Sequence, residues 1–163
     1  MSGDSPRRGE HTRKWLVVLD GTEECIKAVT FAAFRVRRTG GTIVLLVVIE
    51  PDQFQHWIGV GDVMRAEAMQ QAEKLFEQHE SRLRAAGDIA VERVVREGPR
   101  AEEVEALIRE DRDIVILVLA AGTSSEGPGP LVSSIALRGA NAFPIPVAIV
   151  PGTLSDEEIE ALS

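Results

Sequence analysis

The sequence predicts an α/β protein with an open, parallel sheet and helices on both faces. Short apolar runs alternate with amphipathic helical segments in the order β-α-β-α-β-α-β-α-β. The segments between the runs are long enough for the crossovers that parallel pairing needs. The stretch from Asp113 to Gly152 shows this arrangement most clearly, because an apolar strand, a glycine-rich turn, a short helix and a second apolar strand follow one another directly. A chain of 163 residues is expected to form a single domain.

The first elements follow from apolar runs and helix boundary residues. Trp15 to Leu19 is an apolar strand that ends at Asp20-Gly21, as a buried parallel strand would. Thr22 is expected to cap a helix whose apolar residues recur at spacings of three and four and which ends at Gly40-Gly41. Thr42 to Ile49 is rich in β-branched residues, which predicts a second central strand.

The later elements are predicted from the same two periodicities. They are a long helix with Met69, Ala72, Phe76, Leu83 and Ala86 on one face, a strand over Ile89 to Val95, a helix from Gly98-Pro99, a strand over Asp113 to Ala120, a helix from Leu131 to about Leu137 with Gly139 as its stop, and a strand over Pro146 to Val150. Ser155 and Glu158 have the spacing of a capping box. We therefore divide the chain into a flexible tail over 1–12, a domain over 13–152, and a short terminal helix or tail over 153–163.

Composition excludes several classes of partner. The net charge of −8 and the pI near 4.9 disfavour binding to nucleic acid or to anionic lipid. No apolar run approaches the length needed to cross a membrane. The single cysteine, Cys25, cannot form an internal disulfide, and the polar N-terminus lacks the apolar core of a signal peptide. We expect a cytoplasmic protein.

A ligand site is expected at the carboxyl edge of the sheet, where open α/β proteins bind their ligands. Asp20 ends the first strand there, and its carboxylate would either accept a hydrogen bond from a base amine or cap the following helix. The glycine-rich loop after the fourth strand offers a helix start that could attract phosphate. However, Pro128 and Pro130 have no N–H to donate, Glu126 adds negative charge, and no Walker ending is present.

The remaining reactive residue types do not form a catalytic set. Cys25 lies in the first turn of a helix, where it is either an activated thiolate or, as we favour, a small buried residue. His79 falls on the apolar stripe of the long helix, where we expect a hydrogen-bonded histidine at the edge of the core. Arg93, Arg96 and Arg100 would meet an anionic ligand, an acidic partner or solvent. The sequence contains no recognisable metal cluster or catalytic triad, so we expect a protein that is not an enzyme.

Several segments in register resemble the universal stress protein (UspA-like) family, from about Lys14 to Gly152. They are the first strand ending in Asp20, the segment IVLLVVIEP, the block EGPRAEEVEALIREDRDIVILVLA and the closing PVAIVP strand. The resemblance implies a Rossmann-like, five-stranded parallel sheet in the order 3-2-1-4-5, as in the adenine nucleotide alpha hydrolases. It also implies a homodimer joined through the last strand, Pro146 to Val150.

The nucleotide signature of the family, G-x2-G-x9-G-[ST], is degenerate here. Its three glycine positions fall on Ala120, Thr123 and Ser133, and only Ser134 matches. Asp20 and Val48 match the positions that contact adenine in ATP-binding relatives. The chain thus resembles the branch of the family that does not bind ATP.

The resemblance implies a dimeric stress-response protein that acts by binding or regulation, with weak or no ATP binding. The alternative is a switch that binds ATP or another adenine nucleotide with Mg. The residues of such a site would be Asp20, Val48, Gly122, Thr123, Gly127, Gly129, Ser133 and Ser134. The hydroxyl groups of Ser133 and Ser134 would either bind phosphate or form hydrogen bonds with the free backbone N–H groups at the start of the helix.

An irregular loop over Asp52 to Gly61 carries Phe54 and Trp57. Large apolar residues near the surface of an acidic protein mark a contact surface. We expect the segment Phe54 to Trp57 to meet a protein partner, or else to fold back over the sheet.

Overall fold

The computed structural model describes residues 13–50, 61–125, 127–138 and 143–163. Strands and helices alternate along them without exception. The elements are β1 (Lys14–Val18), α1 (Cys25–Thr39), β2 (Thr42–Ile49), α2 (Gly61–Ala86), β3 (Ala90–Glu97), α3 (Arg100–Glu110), β4 (Ile114–Ala121), α4 (Pro130–Arg138), β5 (Val147–Pro151) and α5 (Asp156–Leu162).

The five strands form one parallel sheet in the order β3-β2-β1-β4-β5, which confirms the predicted topology. β1 lies at the centre, with Leu16 opposite Val44 of β2 on one side and Leu117 of β4 on the other. The chain order reverses between β1 and β4. Ligands of open α/β sheets bind at such a switch point, beyond the carboxyl ends of the strands.

Two apolar layers cover the sheet. Alternation along β1 sends Trp15 and Val17 into the layer under α1, α2 and α5, and Leu16 and Val18 into the layer under α3 and α4. All eight residues of β2 are buried, as its unbroken run of apolar residues predicts for a central parallel strand.

The two edges of the sheet differ in chemistry. β3 carries charged residues on both faces, including Glu92, Arg93, Arg96 and Glu97. Charges of this kind protect an edge from pairing with another chain. β5 is apolar and leaves Ile149 44% exposed. The edge at β5 is therefore the one suited to further pairing.

The terminal helix α5 is packed onto the domain. Ile159 is fully buried against the layer that contains α1. The predicted capping box is present. The Ser155 hydroxyl accepts a hydrogen bond from the backbone N–H of Glu158, and the Glu158 carboxylate accepts one from the backbone N–H of Ser155. Arg38 of α1 donates to the backbone carbonyl oxygens of Ser163 (2.7 Å) and Glu160 (3.3 Å). Side chains from outside the helix thus hold its end.

The helix boundaries required one correction. Thr22 does not cap α1, since Glu24 occupies the N-cap position without a side-chain hydrogen bond and the helix starts at Cys25. Thr22 instead bonds to Asp20, because a turn within the loop competes for the same polar groups. Residues 51–60, with the Phe54 to Trp57 segment, lie outside the described residues, as do Glu126 and Gly139.

Candidate functional site

A cleft of about 230 Å³ opens at the carboxyl ends of β1 and β2; we call it the wide cleft. Asp20 and Val48, which were predicted from different strands, both line it. Ala72 and Leu75 of α2 form an apolar wall, and Gln71 adds a carboxamide. The cleft combines apolar surface with a few polar groups, as small-molecule sites do.

An ion pair lies at one end of the wide cleft. Glu50 follows β2 directly, and Arg100 is the first residue of α3. Arg100 Nε lies 3.7 Å from Glu50 Oε1, which is too long for a hydrogen bond. Among the described residues this buried Nε has no hydrogen-bond partner. The cleft therefore offers a donor and a carboxylate side by side.

Asp20 is held by its own turn. Its Oδ1 accepts from the backbone N–H of Thr22 at 3.0 Å and from the Thr22 hydroxyl at 2.6 Å. Asp20 accordingly serves neither as the cap of α1 nor as a free side chain. Asp20 is nevertheless one of the residues that line the wide cleft.

The glycine-rich loop after β4 uses its amides internally. Gly122 N–H bonds to the carbonyl oxygen of Pro128 at 2.9 Å, and Gly127 N–H bonds to that of Ser124 at 3.1 Å. Ser133 N–H bonds to the carbonyl oxygen of Gly129 at 3.0 Å as part of α4. A phosphate cradle needs N–H groups that point at the ligand. These three are already committed to carbonyl oxygens of the protein.

Glu24 lies against this loop. A Cβ atom at position 122 would come within 2.8 Å of Glu24 Oε1 and 3.1 Å of the Gly127 carbonyl oxygen. Gly152, just after β5, approaches the same side chain, since a Cβ there would lie 3.1 Å from Glu24 Cβ. The partly buried Glu24 side chain therefore lies against the loops after β4 and β5.

The space beside Glu24, which we call the narrow cleft, measures only about 30 Å³. Asp20, Glu24 and Gly129 are among the residues that line it. This volume corresponds to about one water molecule. Thr123 and Ser133 are exposed, and neither they nor Ser134 line the narrow or the wide cleft. The structure thus separates the predicted site into an open end near Val48 and a closed end near Gly129.

Two titratable side chains are buried near the site. Burial, followed by the charge of Asp20, raises the pKa of the Cys25 thiol to about 12, which agrees with the buried interpretation and opposes a thiolate. His79 is buried, and its Nδ1 has no hydrogen-bond partner among the described residues, so the predicted hydrogen bond is not made by that nitrogen. Burial, and then the charge of Arg82, lowers the pKa of His79.

Two of the three predicted arginines are used within the fold. Arg93 of β3 makes hydrogen-bonded ion pairs with Glu73 and Glu80 of α2. Arg96 pairs with two glutamates of α3, Glu103 and Glu110. These carboxylates hold the guanidinium groups that we had considered for an anionic ligand. Only Arg100 reaches the wide cleft.

Two other kinds of site are absent from the part of the chain that the structure describes. No group of three or more His, Cys, Asp or Glu side chains there could hold a metal ion. No described helix is both long and apolar enough to cross a membrane.

Sequence reasoning missed two acidic residues of this edge. Glu50 could have been found, because it follows β2 as Asp20 follows β1. Glu24 gave no such signal, because its proximity to Gly122 depends on how α1 and the loop after β4 meet.

The comparisons with known proteins agree with this architecture. The model of the universal stress protein family matches residues 11–151. α5 lies beyond the matched range. A search of curated protein sequences found no match.

Solved structures of low sequence identity share the fold. UspA from Lactobacillus plantarum superposes with a TM-score of 0.73 at 15% identity, over 85% of this chain and 97% of that one. A universal stress protein from Archaeoglobus fulgidus in complex with dAMP gives 0.63 at 15% identity, over 84% and 96%. A universal stress protein family member from Arabidopsis thaliana with AMP bound gives 0.55 at 16% identity, over 85% and 90%.

Proposed function

Because this chain belongs to the universal stress protein family, we propose that it acts in the stress response by binding or regulation and not by catalysis. In this proposal it is a cytoplasmic homodimer that binds ATP weakly or not at all. The observation that carries the proposal is the closed end of the site. A cleft of about 30 Å³ lined by Asp20 and Glu24 has neither the room nor the charge for a triphosphate.

The absence of catalysis rests on the chemistry of the described residues. The thiol of Cys25 stays protonated at neutral pH and is buried. His79 has no carboxylate partner to orient it among the described residues. A nucleophile and its base must lie within hydrogen-bond reach of each other, and these two do not form such a pair.

The test is calorimetric titration of the purified protein with Mg-ATP. A sample denatured beforehand is checked for nucleotide that co-purified. We expect no retained nucleotide and no binding at micromolar concentrations. Tight binding of Mg-ATP would overturn the proposal.

A second candidate is a switch that binds an adenine nucleotide with Mg. It is favoured by the wide cleft of about 230 Å³, which Asp20 and Val48 line together. Universal stress proteins of the same fold have been solved with dAMP and with AMP. The same titration with Mg-ATP separates the two candidates, because the switch requires the protein to bind the nucleotide together with its phosphates.

The homodimer is proposed to form through β5. This edge is apolar and exposes Ile149, whereas β3 is charged. Pro146 precedes β5 and Pro151 is its last residue, and both would limit further growth of the sheet. In sedimentation, we expect Ile149→Lys to be monomeric while Val63→Lys, at an exposed position of α2, stays dimeric. A wild-type monomer at micromolar concentration would refute the dimer.

A protein partner at Phe54 to Trp57 remains a prediction from the sequence. Truncation of Trp57 to Ala should weaken self-association or ligand binding. Unchanged mass and unchanged ligand affinity would reject this role for the loop.

A further inference from the structure

Glu24 lies where the start of α1 meets the loops after β4 and β5, at the carboxyl edge of the sheet. It immediately precedes α1, and its side chain contacts the positions of Gly122 and Gly152 in the loops after β4 and β5. We propose that Glu24 is a specificity-determining residue of the narrow cleft, because its carboxylate lies beside the place that a ligand phosphate would take and its charge disfavours phosphate-bearing ligands. This inference rests on the proposed function, in which the site takes phosphate poorly.

The start of α1 explains why a carboxylate lies there. A helix N-terminus attracts anions through its free N–H groups and its dipole. The first amides of α1 make only long bonds, since the N–H groups of Cys25 and Ile26 lie 3.4 Å from their acceptors. Glu24 makes no side-chain cap bond, so its carboxylate is not committed to these amides.

The packing around Glu24 keeps the carboxylate in the cleft. A side chain at position 122 would collide with its Oε1, and one at position 152 would crowd its Cβ. Both positions are glycine, so the loops close directly over the glutamate. Among the described residues no cation pairs with Glu24, which is one of the residues that line the narrow cleft.

The charge is large enough to decide specificity. A phosphate within about 5 Å of a carboxylate in a partly buried site is repelled strongly enough to weaken its binding by on the order of a hundredfold. Asp20 lines the same cleft and adds to this repulsion. A ligand without phosphate would not meet this penalty.

The experiment compares AMP and adenosine as calorimetric probes of three proteins: wild type, Glu24→Gln and Glu23→Gln. Gln keeps the size of the side chain and removes its charge. Glu23 is the matched control, because it is the preceding residue, carries the same charge and is exposed. Thermal unfolding checks that each variant folds, and Glu24→Ala replaces Glu24→Gln if the latter does not.

We expect Glu24→Gln to bind AMP at least tenfold more tightly than wild type does, with adenosine affinity unchanged and Glu23→Gln like wild type. The inference is overturned if AMP affinity is the same in Glu24→Gln and wild type, including the case in which neither binds. It is also overturned if adenosine gains equally or if Glu23→Gln gives the same increase. The proposed function is judged from wild type with Mg-ATP alone, so the two can fail separately.

Discussion

Replacement of Ile159 by Ala tests whether α5 is an integral part of the domain. Ile159 is fully buried between α5 and the apolar layer that contains α1. The change removes three carbon atoms, and transfer of their surface to water costs about 0.8 kcal/mol each, or about 2.4 kcal/mol. The cavity that remains raises the total to as much as about 5 kcal/mol. For a chain of this length, such a loss lowers the melting temperature by roughly 5–20 °C.

The assay is urea unfolding followed by circular dichroism, at one fixed protein concentration so that any dimerisation contributes equally. Leu162→Ala is the matched control, since Leu162 belongs to the same helix but is 67% exposed. We expect the control to change the free energy of unfolding by less than about 0.5 kcal/mol. Equal, small effects of the two substitutions would show that α5 is not docked and would refute the reasoning.

Two further outcomes are expected. The pKa of His79 in the folded protein lies below its ordinary value of 6.5, so the unfolded chain takes up the proton first and stability should fall as the pH drops from 7.5 to 5.5. His79→Leu should reduce this fall, measured as urea midpoints. An identical fall in both proteins would contradict the lowered pKa of His79. Gly152→Ala should lower the free energy of unfolding by about 1–3 kcal/mol, because its Cβ would lie 2.7 Å from the Ala121 carbonyl oxygen. Gly61→Ala is the control, since no atom of the described residues lies within 4 Å of the added Cβ, and equal thermal shifts would refute the clash.

The fold could be predicted because its signals are local and repeated. Four of the five strands are short apolar runs, and the helices show apolar residues at spacings of three and four, which differ from the period of two in a strand. The strand order came from the resemblance, and the structure confirms it. Thr22 was misassigned because a helix cap and a loop turn require the same residue types, and the geometry of the Asp20 turn decided between them.

The candidate site was predicted in part. Asp20 was predicted from the end of the first strand and Val48 from the family resemblance, and both line the wide cleft. The loop residues Gly122 and Gly127 were placed correctly after β4, yet their amides bond to carbonyl oxygens of the same loop. No sequence pattern reports which carbonyl a glycine amide will meet. Similarly, the three arginines looked equivalent until their glutamate partners on α2 and α3 were known.

The sequence by itself determined the layers, the edge at which a ligand would bind and the degeneracy of the phosphate signature, because periodicity and strand ends are properties of contiguous residues. Only the tertiary structure decided that Glu24 faces Gly122 and that the cleft beside it is closed. Residues 24 and 122 are brought together by the pairing of β1 with β4. The repulsion between the Glu24 carboxylate and a phosphate beside Gly122 depends on their distance, which only the folded chain defines.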